Sequence, residues 1–509
     1  MPTLADSLAE AARLTPERVL LVDGDVRLDS RTLCARAAAL AQELLSRAPT
    51  GSVVSFMLPN WHEAAVVYLA ATMAGMAVNP ILPSLRDREV SFILADAQSR
   101  IMFVPSQFRG HDYRAMMDRV TGSMASPPEV VVVRGDHGDH TPYESLVTGE
   151  VSSVEFPTVD STAVRMILYT SGTTGRPKGV LHSHDSIHAL ICQIRDHWSV
   201  EPGDSFLVPS PIAHIGGSIY AFECPLLLGA TAVLMERWDP DEAVTLMTAH
   251  RCTHMAGATP FLEGLLAAAE RADTRLPDLK VFICGGASVP PSLIRRAAAY
   301  FQSAVVTRVY GSTEVPVTTV GSPTDPDRAA DTDGRPGIAS VKLVAHDSAP
   351  PGSGGIHARG PQMLVGYRNP DDERDAFDDE GYFRTGDLAR WVDDDYLVVT
   401  GRAKDIIIRS GENIAPKEVE DILAGHPDII EIAIVGLPDA RTGERACAVI
   451  VPKAPPGPNV SELRDFLADS GVAKFKVPEQ VEIWDSLPKN DAGKVVKHQI
   501  RATLMKADG

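Results

Sequence analysis

The sequence predicts an α/β protein in two unequal parts, a large N-terminal α/β unit of several subdomains followed by a small α+β C-terminal domain. Three observations carry this reading. At 509 residues the chain exceeds what one hydrophobic core organises, at roughly 150 residues per unit. Up to about Gly401 short β-rich runs alternate with amphipathic segments, the pattern of helices packed on a sheet. Beyond Gly401 the chain changes to a mixed set of helical and strand-like pieces, long enough for a small domain of its own.

In the large part, residues 53–57, 101–104, 129–133 and 281–284 read as strands, being short, apolar and rich in β-branched side chains. Residues 241–249 and 291–300 are amphipathic and read as helices. Residues 64–78 form the longest strongly apolar stretch, broken by Thr72 and Gly75 and shorter than the ~20 residues of a membrane span, so a buried helix is expected. Residues 163–169, apolar apart from Arg165, read as a strand. The Pro/Gly-rich cluster 349–355 lies between two strand-like runs of a smaller β-rich subdomain, and 396–400 reads as a strand. In the C-terminal part, 418–425 and 461–468 read as helices, the second with Asn459 as N-cap and Glu462 three residues on. Residues 429–435, 446–451 and 481–484 read as strands.

Composition narrows the function. Hydrophobic residues make up 44% and charged residues 23%, as in ordinary globular enzymes. Lys plus Arg number 48 against 67 Asp plus Glu, a formal charge of −19, which argues against nucleic acid and anionic membranes as main partners. Cys34, Cys192, Cys224, Cys252, Cys284 and Cys447 lie far apart without a Cys-x-x-Cys pair, and residues 1–13 do not read as a secretory leader; the expectation is a reducing cytoplasm. His182, His184 and His188 are close in sequence but lack the cysteines or carboxylates of a zinc site.

The segment Leu168-Tyr169-Thr170-Ser171-Gly172-Thr173-Thr174-Gly175-Arg176-Pro177-Lys178-Gly179 describes a phosphate-cradling loop. Its glycines free backbone N–H groups to turn toward an anion, its hydroxyls add donors, and Lys178 adds positive charge. Pro177 before the lysine and Gly179 after it do not match a Walker loop, which opens directly into a helix. The loop points to ATP.

Written in this order, the loop resembles the signature of the adenylate-forming superfamily: acyl-CoA synthetases, luciferases and the adenylation domains of nonribosomal peptide synthetases. The resemblance continues through Tyr310-Gly311-Ser312-Thr313-Glu314, Tyr382-Phe383-Arg384-Thr385-Gly386-Asp387-Leu388, Gly401-Arg402-Ala403-Lys404-Asp405 and Gly493-Lys494. It implies a large AMP-binding domain over 1–401, a hinge at 402–405 and a mobile C-terminal lid over 406–509. It implies ATP held by Thr170, Ser171, Gly172, Thr173, Thr174, Gly175 and Lys178. Gly285, Gly286 and Ala287 would let the backbone approach the purine. Tyr310, with Gly311 and Ser312, would pack on adenine. Asp387 would take the ribose hydroxyls, assisted by Arg402.

The resemblance also implies that Thr313 meets a phosphate and Glu314 holds Mg²⁺, a hard cation suited to carboxylate and phosphate oxygens. Lys494 is expected to reach the substrate carboxylate and the α-phosphate, with His214, Thr313 and Glu314 as the other catalytic residues. Rotation about Lys404 would then present the lid face carrying Ser410 and Gly411, lining a channel for CoA. Three positions depart from the usual pattern: Asn490 and Asp491 before the lysine, and Ser410 where many relatives have glycine.

His214, Ile215, Gly216 and Gly217 stand at the acid pocket implied by the family. Amino-acid adenylation domains place an aspartate close by, and hydroxybenzoate-activating relatives place an asparagine directly after this histidine; Ile215 stands here. An apolar, roomy pocket is expected, most like those of ligases for alicyclic or aliphatic acids such as cyclohexanecarboxylate. The expected reaction is ATP-dependent acyl-AMP formation followed by transfer to CoA. Two alternatives stay open, a stand-alone enzyme loading a carrier protein's phosphopantetheine and a relative performing one half-reaction. Partners are the acid, ATP and CoA, with no nucleic acid and no integral membrane contact, and a homodimer is left open.

Overall fold

A computed structural model describes residues 3–147, 156–171, 176–286, 289–347, 349, 352–409, 412–439, 441–490 and 493–507. It is a mixed α/β protein with a large N-terminal and a small C-terminal domain. Two sheets organise the large domain. The seven-stranded sheet runs in the order Val305–Val309, Val281–Gly285, His254–Gly257, Ser205–Val208, Thr231–Leu234, Val19–Asp23, Val26–Asp29. Its strands are parallel except at the last pair. The eight-stranded sheet has a parallel body from Val164–Ser171 to Thr141–Pro142 and an antiparallel edge made by Pro177–Ser183 and Gly366–Tyr367.

The helix His62–Met73 explains how the sheets share one core. Every residue from Glu63 to Met73 is buried, which suits a helix apolar on all sides. The cluster around it takes Val54, Phe56, Ile101 and Val131 from one sheet and Phe206, Val208, Ala232 and Leu234 from the other. The apolar run 64–78 is therefore not one helix. The helix stops at Met73, Gly75 turns the chain at φ +67°, and the strand Ala77–Pro80 follows. A Cβ on Gly75 would lie 2.8 Å from Thr50 Cγ2, so glycine is required there for both conformation and space.

The Pro/Gly cluster 349–355 falls between the antiparallel strands Ser340–Val344 and Gly354–Arg359, its last two glycines opening the second and Pro350 and Pro351 lying outside the described residues; Phe383–Val392 and Tyr396–Arg402 complete a four-stranded sheet. The small domain is a five-stranded sheet with apolar clusters on two sides, one under Leu463 and Leu467 and one under Ile500 and Leu504. Asn459 caps the helix Val460–Asp469 in a reciprocal box with Glu462. The closing helix Lys497–Ala507 has no counterpart in the sequence reading. No described helix is long and apolar enough to cross a membrane.

Candidate active site

The phosphate-loop segment is a hairpin. Thr170 pairs with Lys178 and Ser171 with Pro177 across the antiparallel strands, so both ends of the loop are fixed to the sheet edge. Gly172, Thr173, Thr174 and Gly175 and the Ser171 side chain lie outside the described residues. The two cations beyond the loop converge on one buried acid: Arg176 Nη2 is 2.8 Å and Lys178 Nζ 3.6 Å from Asp372 Oδ1. Lys178 Nζ also lies 5.4 Å from the centre of the Tyr367 ring.

The segment from Tyr310 to Thr318 leaves the edge strand Val305–Val309 of the seven-stranded sheet and doubles back on itself. Gly311 permits this, since a Cβ there would lie 2.6 Å from Val317 N. The Val315 N–H donates to Ser312 Oγ over 3.2 Å, and the Thr318 hydroxyl to the Val315 carbonyl over 2.6 Å. Three bonds then tie the centre of this loop to the other sheet's edge. The Leu364 N–H donates to the Glu314 carbonyl over 2.7 Å, the Tyr367 hydroxyl to Glu314 Oε1 over 3.1 Å, and His182 Nε2 to the Thr313 carbonyl over 2.8 Å.

Tyr310 and Asp387 are joined directly, the phenol donating to Oδ2 over 2.7 Å. Burial, then the Asp387 charge, pushes this phenol well above the usual tyrosine range. Arg402 faces Asp387 across neighbouring strands and its Nε lies 3.0 Å from Oδ1. The strand Val281–Gly285 ends beside them. Gly285 has no room for a side chain, a Cβ lying 2.5 Å from Val309 Cγ1, whereas Gly286, at φ +82°, meets only Lys494 Cε at 3.8 Å. Ala287 lies outside the described residues.

Lys494 thus enters the site from the small domain. It sits on a tight hairpin closed by the bridge between Lys489 and Val495. The side chain of Asn490 pins the turn: its Oδ1 accepts the Lys494 N–H over 2.9 Å, while its own N–H donates to the Lys494 carbonyl over 2.9 Å. The departure at Asn490 therefore serves to shape the turn; Asp491 lies outside the described residues. Burial, then Arg402, pulls the Lys494 ammonium below its usual range against the opposing pull of Asp387 and Glu314. Burial, then Lys494, brings the His214 imidazole down to about 4.

His214 precedes the short helix Ile215–Ser218. The two glycines of that helix are not equivalent. Around Gly216 the nearest atom to a Cβ would be His214 Nδ1 at 3.9 Å, but at Gly217 a Cβ would overlap the Pro211 carbonyl. Gly217 serves close backbone packing and leaves no space for a side chain, and Ile215 joins the main core. Lys404 is exposed in the single turn Ala403–Asp405 just after Arg402; Ser410 and Gly411 lie outside the described residues.

The structure thus brings Tyr310, Glu314, Asp387, Arg402, His214, Gly286 and Lys494 together, with Lys178 linked to them through Tyr367. It adds His182, Tyr367 and Asp372, to which the sequence assigns no role. Their partners are 131, 53 and 196 residues away, so no local pattern marks them. Beside the Lys494 hairpin is a cavity of about 510 Å³ lined by apolar residues including Phe108, Trp238 and Phe261, by Arg86, Arg109 and Arg237, and by Lys489 of the hairpin.

Residues 8–368 match the AMP-binding enzyme family, and residues 418–494 match the AMP-binding enzyme C-terminal domain. The chain is 33% identical over 523 residues to the medium-chain fatty-acid–CoA ligase of Escherichia coli strain K12, covering 99% of this chain and 91% of that protein. It is 30% identical over 517 residues to the 2,3-dihydroxybenzoate-AMP ligase of Bacillus subtilis strain 168, covering 99% and 94%. Its fold matches the crystal structure of ATP-bound MatB from Rhodopseudomonas palustris with a TM-score of 0.86 at 27% identity, covering 98% of each chain.

Proposed function

The chain belongs to the AMP-binding enzymes of the adenylate-forming superfamily, and on that premise we propose that it is an acid–thiol ligase converting an apolar carboxylic acid to its acyl-CoA. The observation that carries the first step is the position of Lys494. The small domain delivers this cation against the bare face of Gly286 and beside His214, within the electrostatic reach of Asp387 and Glu314.

In the first half-reaction a substrate carboxylate oxygen attacks the α-phosphorus of ATP, the bond from that phosphorus to the bridging oxygen breaks, and pyrophosphate leaves. Two anions must approach, so the main barrier is electrostatic. Lys494 offsets charge where the carboxylate and α-phosphate meet. Lys178 and the backbone donors of its loop hold the departing phosphates, and Asp387, supported by Arg402 and Tyr310, orients the ribose. Glu314 offers the hard carboxylate oxygen that Mg²⁺ takes when its other ligands are phosphate oxygens and water; a bound Mg²⁺ would screen the triphosphate charge. In the second half-reaction a thiolate sulfur attacks the acyl carbon, and AMP leaves with the C–O bonding pair. Lys404 is the proposed hinge between the two arrangements.

CoA is favoured over a carrier protein by the large-domain walls of the cavity, which remain when the hairpin rotates away: Phe108 and Phe261 suit a pantetheine arm, and Arg86, Arg109 and Arg237 suit the phosphates at its far end. The fatty-acid ligase relative favours an apolar acid. Six cysteines far apart in the sequence, with no Cys-x-x-Cys pair, suit a cytoplasmic protein. The second reading is an aryl-AMP ligase serving a carrier protein, favoured by the dihydroxybenzoate relative. ATP–pyrophosphate exchange across medium-chain, alicyclic, aromatic and amino acids, followed by trapping the adenylate with CoA or holo-carrier protein, tests both. Exchange restricted to dihydroxybenzoate or amino acids, or transfer to the carrier alone, would overturn the proposal.

A further inference from the structure

The two halves of the nucleotide site stand on different sheets. The Tyr310–Thr318 segment, with Thr313 and Glu314, issues from the edge of the seven-stranded sheet, and the phosphate-loop hairpin belongs to the eight-stranded one. A triphosphate lying across both depends on their mutual register. Misplacement of reacting groups by about 1 Å costs on the order of 100-fold in rate.

His182 spans that junction. It lies on the return strand Pro177–Ser183, four residues beyond Lys178, and is fully buried. Its Nε2 lies 2.8 Å from the Thr313 carbonyl. A carbonyl only accepts, so Nε2 carries the hydrogen. Nδ1 is then the acceptor, with the Ser186 hydroxyl 3.3 Å away. One helix on, Gln193 repeats the contact. Its Nε2 donates to the Val317 carbonyl over 2.8 Å, and its Oε1 accepts the Ile338 N–H over 2.6 Å. Two buried polar side chains from one hairpin-and-helix unit therefore grip two carbonyls of a loop without regular secondary structure.

We propose that His182 is a positioning residue for adenylation: its Nε2–H fixes the Thr313 carbonyl, and with it the placement of Thr313 and Glu314 relative to the phosphate loop on the opposite sheet. This rests on the functional reading above for the roles of Thr313 and Glu314. A leucine would fill the same volume and keep the core apolar without gripping the carbonyl. A glutamine can donate from a similar distance.

The test compares His182→Leu and His182→Gln with the parent in four measurements: ATP–pyrophosphate exchange, transfer to CoA from a supplied acyl-adenylate, thermal midpoint, and Mg-ATP affinity by calorimetry. His182→Leu is expected to lose about 100-fold in exchange and about tenfold in Mg-ATP affinity, with transfer from the supplied adenylate within about twofold of the parent. His182→Gln should recover at least about tenfold of the lost exchange. Exchange near the parent rate in His182→Leu, parallel loss of both half-reactions, or a glutamine variant no better than the leucine one would each overturn the proposal. If His182→Leu does not fold, His182→Gln decides alone: exchange within about tenfold of the parent supports the donor role, and a larger loss overturns it. A parent without exchange for any acid, but with Mg-ATP affinity that still falls in His182→Leu, would sink the functional reading and leave the positioning role standing.

Discussion

Lys494 and Gly286 meet although one belongs to the small domain and the other directly follows the strand Val281–Gly285 of the large one. Lys494 Cε lies 3.8 Å from where a Cβ on Gly286 would stand. Gly286 has φ +82°, a conformation that resists any side chain, so the strand end stays bare and the lysine passes over it. This is the arrangement the proposed adenylation step needs, with the Lys494 hairpin against the large domain.

Lys494→Ala should therefore remove at least ~3–4 kcal/mol of transition-state stabilisation, the range for a lost electrostatic donor. The loss should fall on ATP–pyrophosphate exchange alone. Thioester formation from supplied acyl-adenylate should keep its parent rate, and equal damage to both steps would contradict the assignment.

Much of this site is legible in the sequence because its motifs are contiguous and ordered, from the loop at Thr170 to Gly493-Lys494. What is not legible lies in pairings between distant segments. The grip of His182 on Thr313, the sharing of Asp372 by Arg176 and Lys178, and the link from Tyr367 to Glu314 join elements that only the folded topology brings together. The fold follows the same division. The helix at 460–469 carries its own capping box and is readable. The apolar run 64–78 misleads because a helix buried on all sides and a parallel strand buried on both faces have the same composition, and only Gly75 separates them. Asn490 looks like a weakened family position until the hairpin shows its side chain closing the turn.

The proposed hinge makes a separate prediction. Lys404 is exposed in the turn Ala403–Asp405, so replacing it removes no buried contact. Lys404→Pro fixes φ near roughly −65°, within the range of a 3₁₀ turn such as Ala403–Asp405. Adenylate should form at nearly the parent rate while transfer to CoA slows by at least about tenfold. Parent rates in both steps would place the hinge elsewhere.

Acid stability should be limited by buried neutral histidines. Burial is the main cause that brings His182, His184 and His214 each down to about 4. An unfolded imidazole titrates near 6.5, so above about that pH both states are neutral and these groups contribute nothing to the pH dependence. As pH falls from about 6.5 toward 4 the unfolded chain takes up protons that the fold refuses, and stability drops by up to ~1.4 kcal/mol per pH unit for each histidine. Urea unfolding at a series of pH values across this window should show a falling midpoint well before the carboxylates titrate. A flat midpoint down to about pH 4.5 would contradict it.

The acid pocket is best probed at Gly216, with Gly217 as its control. At Gly216 a side chain would have open space, His214 Nδ1 being the nearest atom at 3.9 Å, whereas at Gly217 a Cβ would run into the Pro211 carbonyl. Gly217→Ala must move backbone and should destabilise the protein by about 1–3 kcal/mol, as overpacking of a tight core does, whatever the acid. Gly216→Leu should leave the thermal midpoint close to the parent and act on selectivity instead. A ring acid or a chain of six or more carbons gains about 0.8 kcal/mol per buried CH₂, so filling this space should cut kcat/KM for such acids by one to two orders of magnitude, roughly two CH₂ equivalents or more. The KM for ATP should stay unchanged and short acids should lose least. If Gly216→Leu penalises acetate and cyclohexanecarboxylate alike, the acid does not lie along this helix, and the preference for apolar acids must be set by other residues.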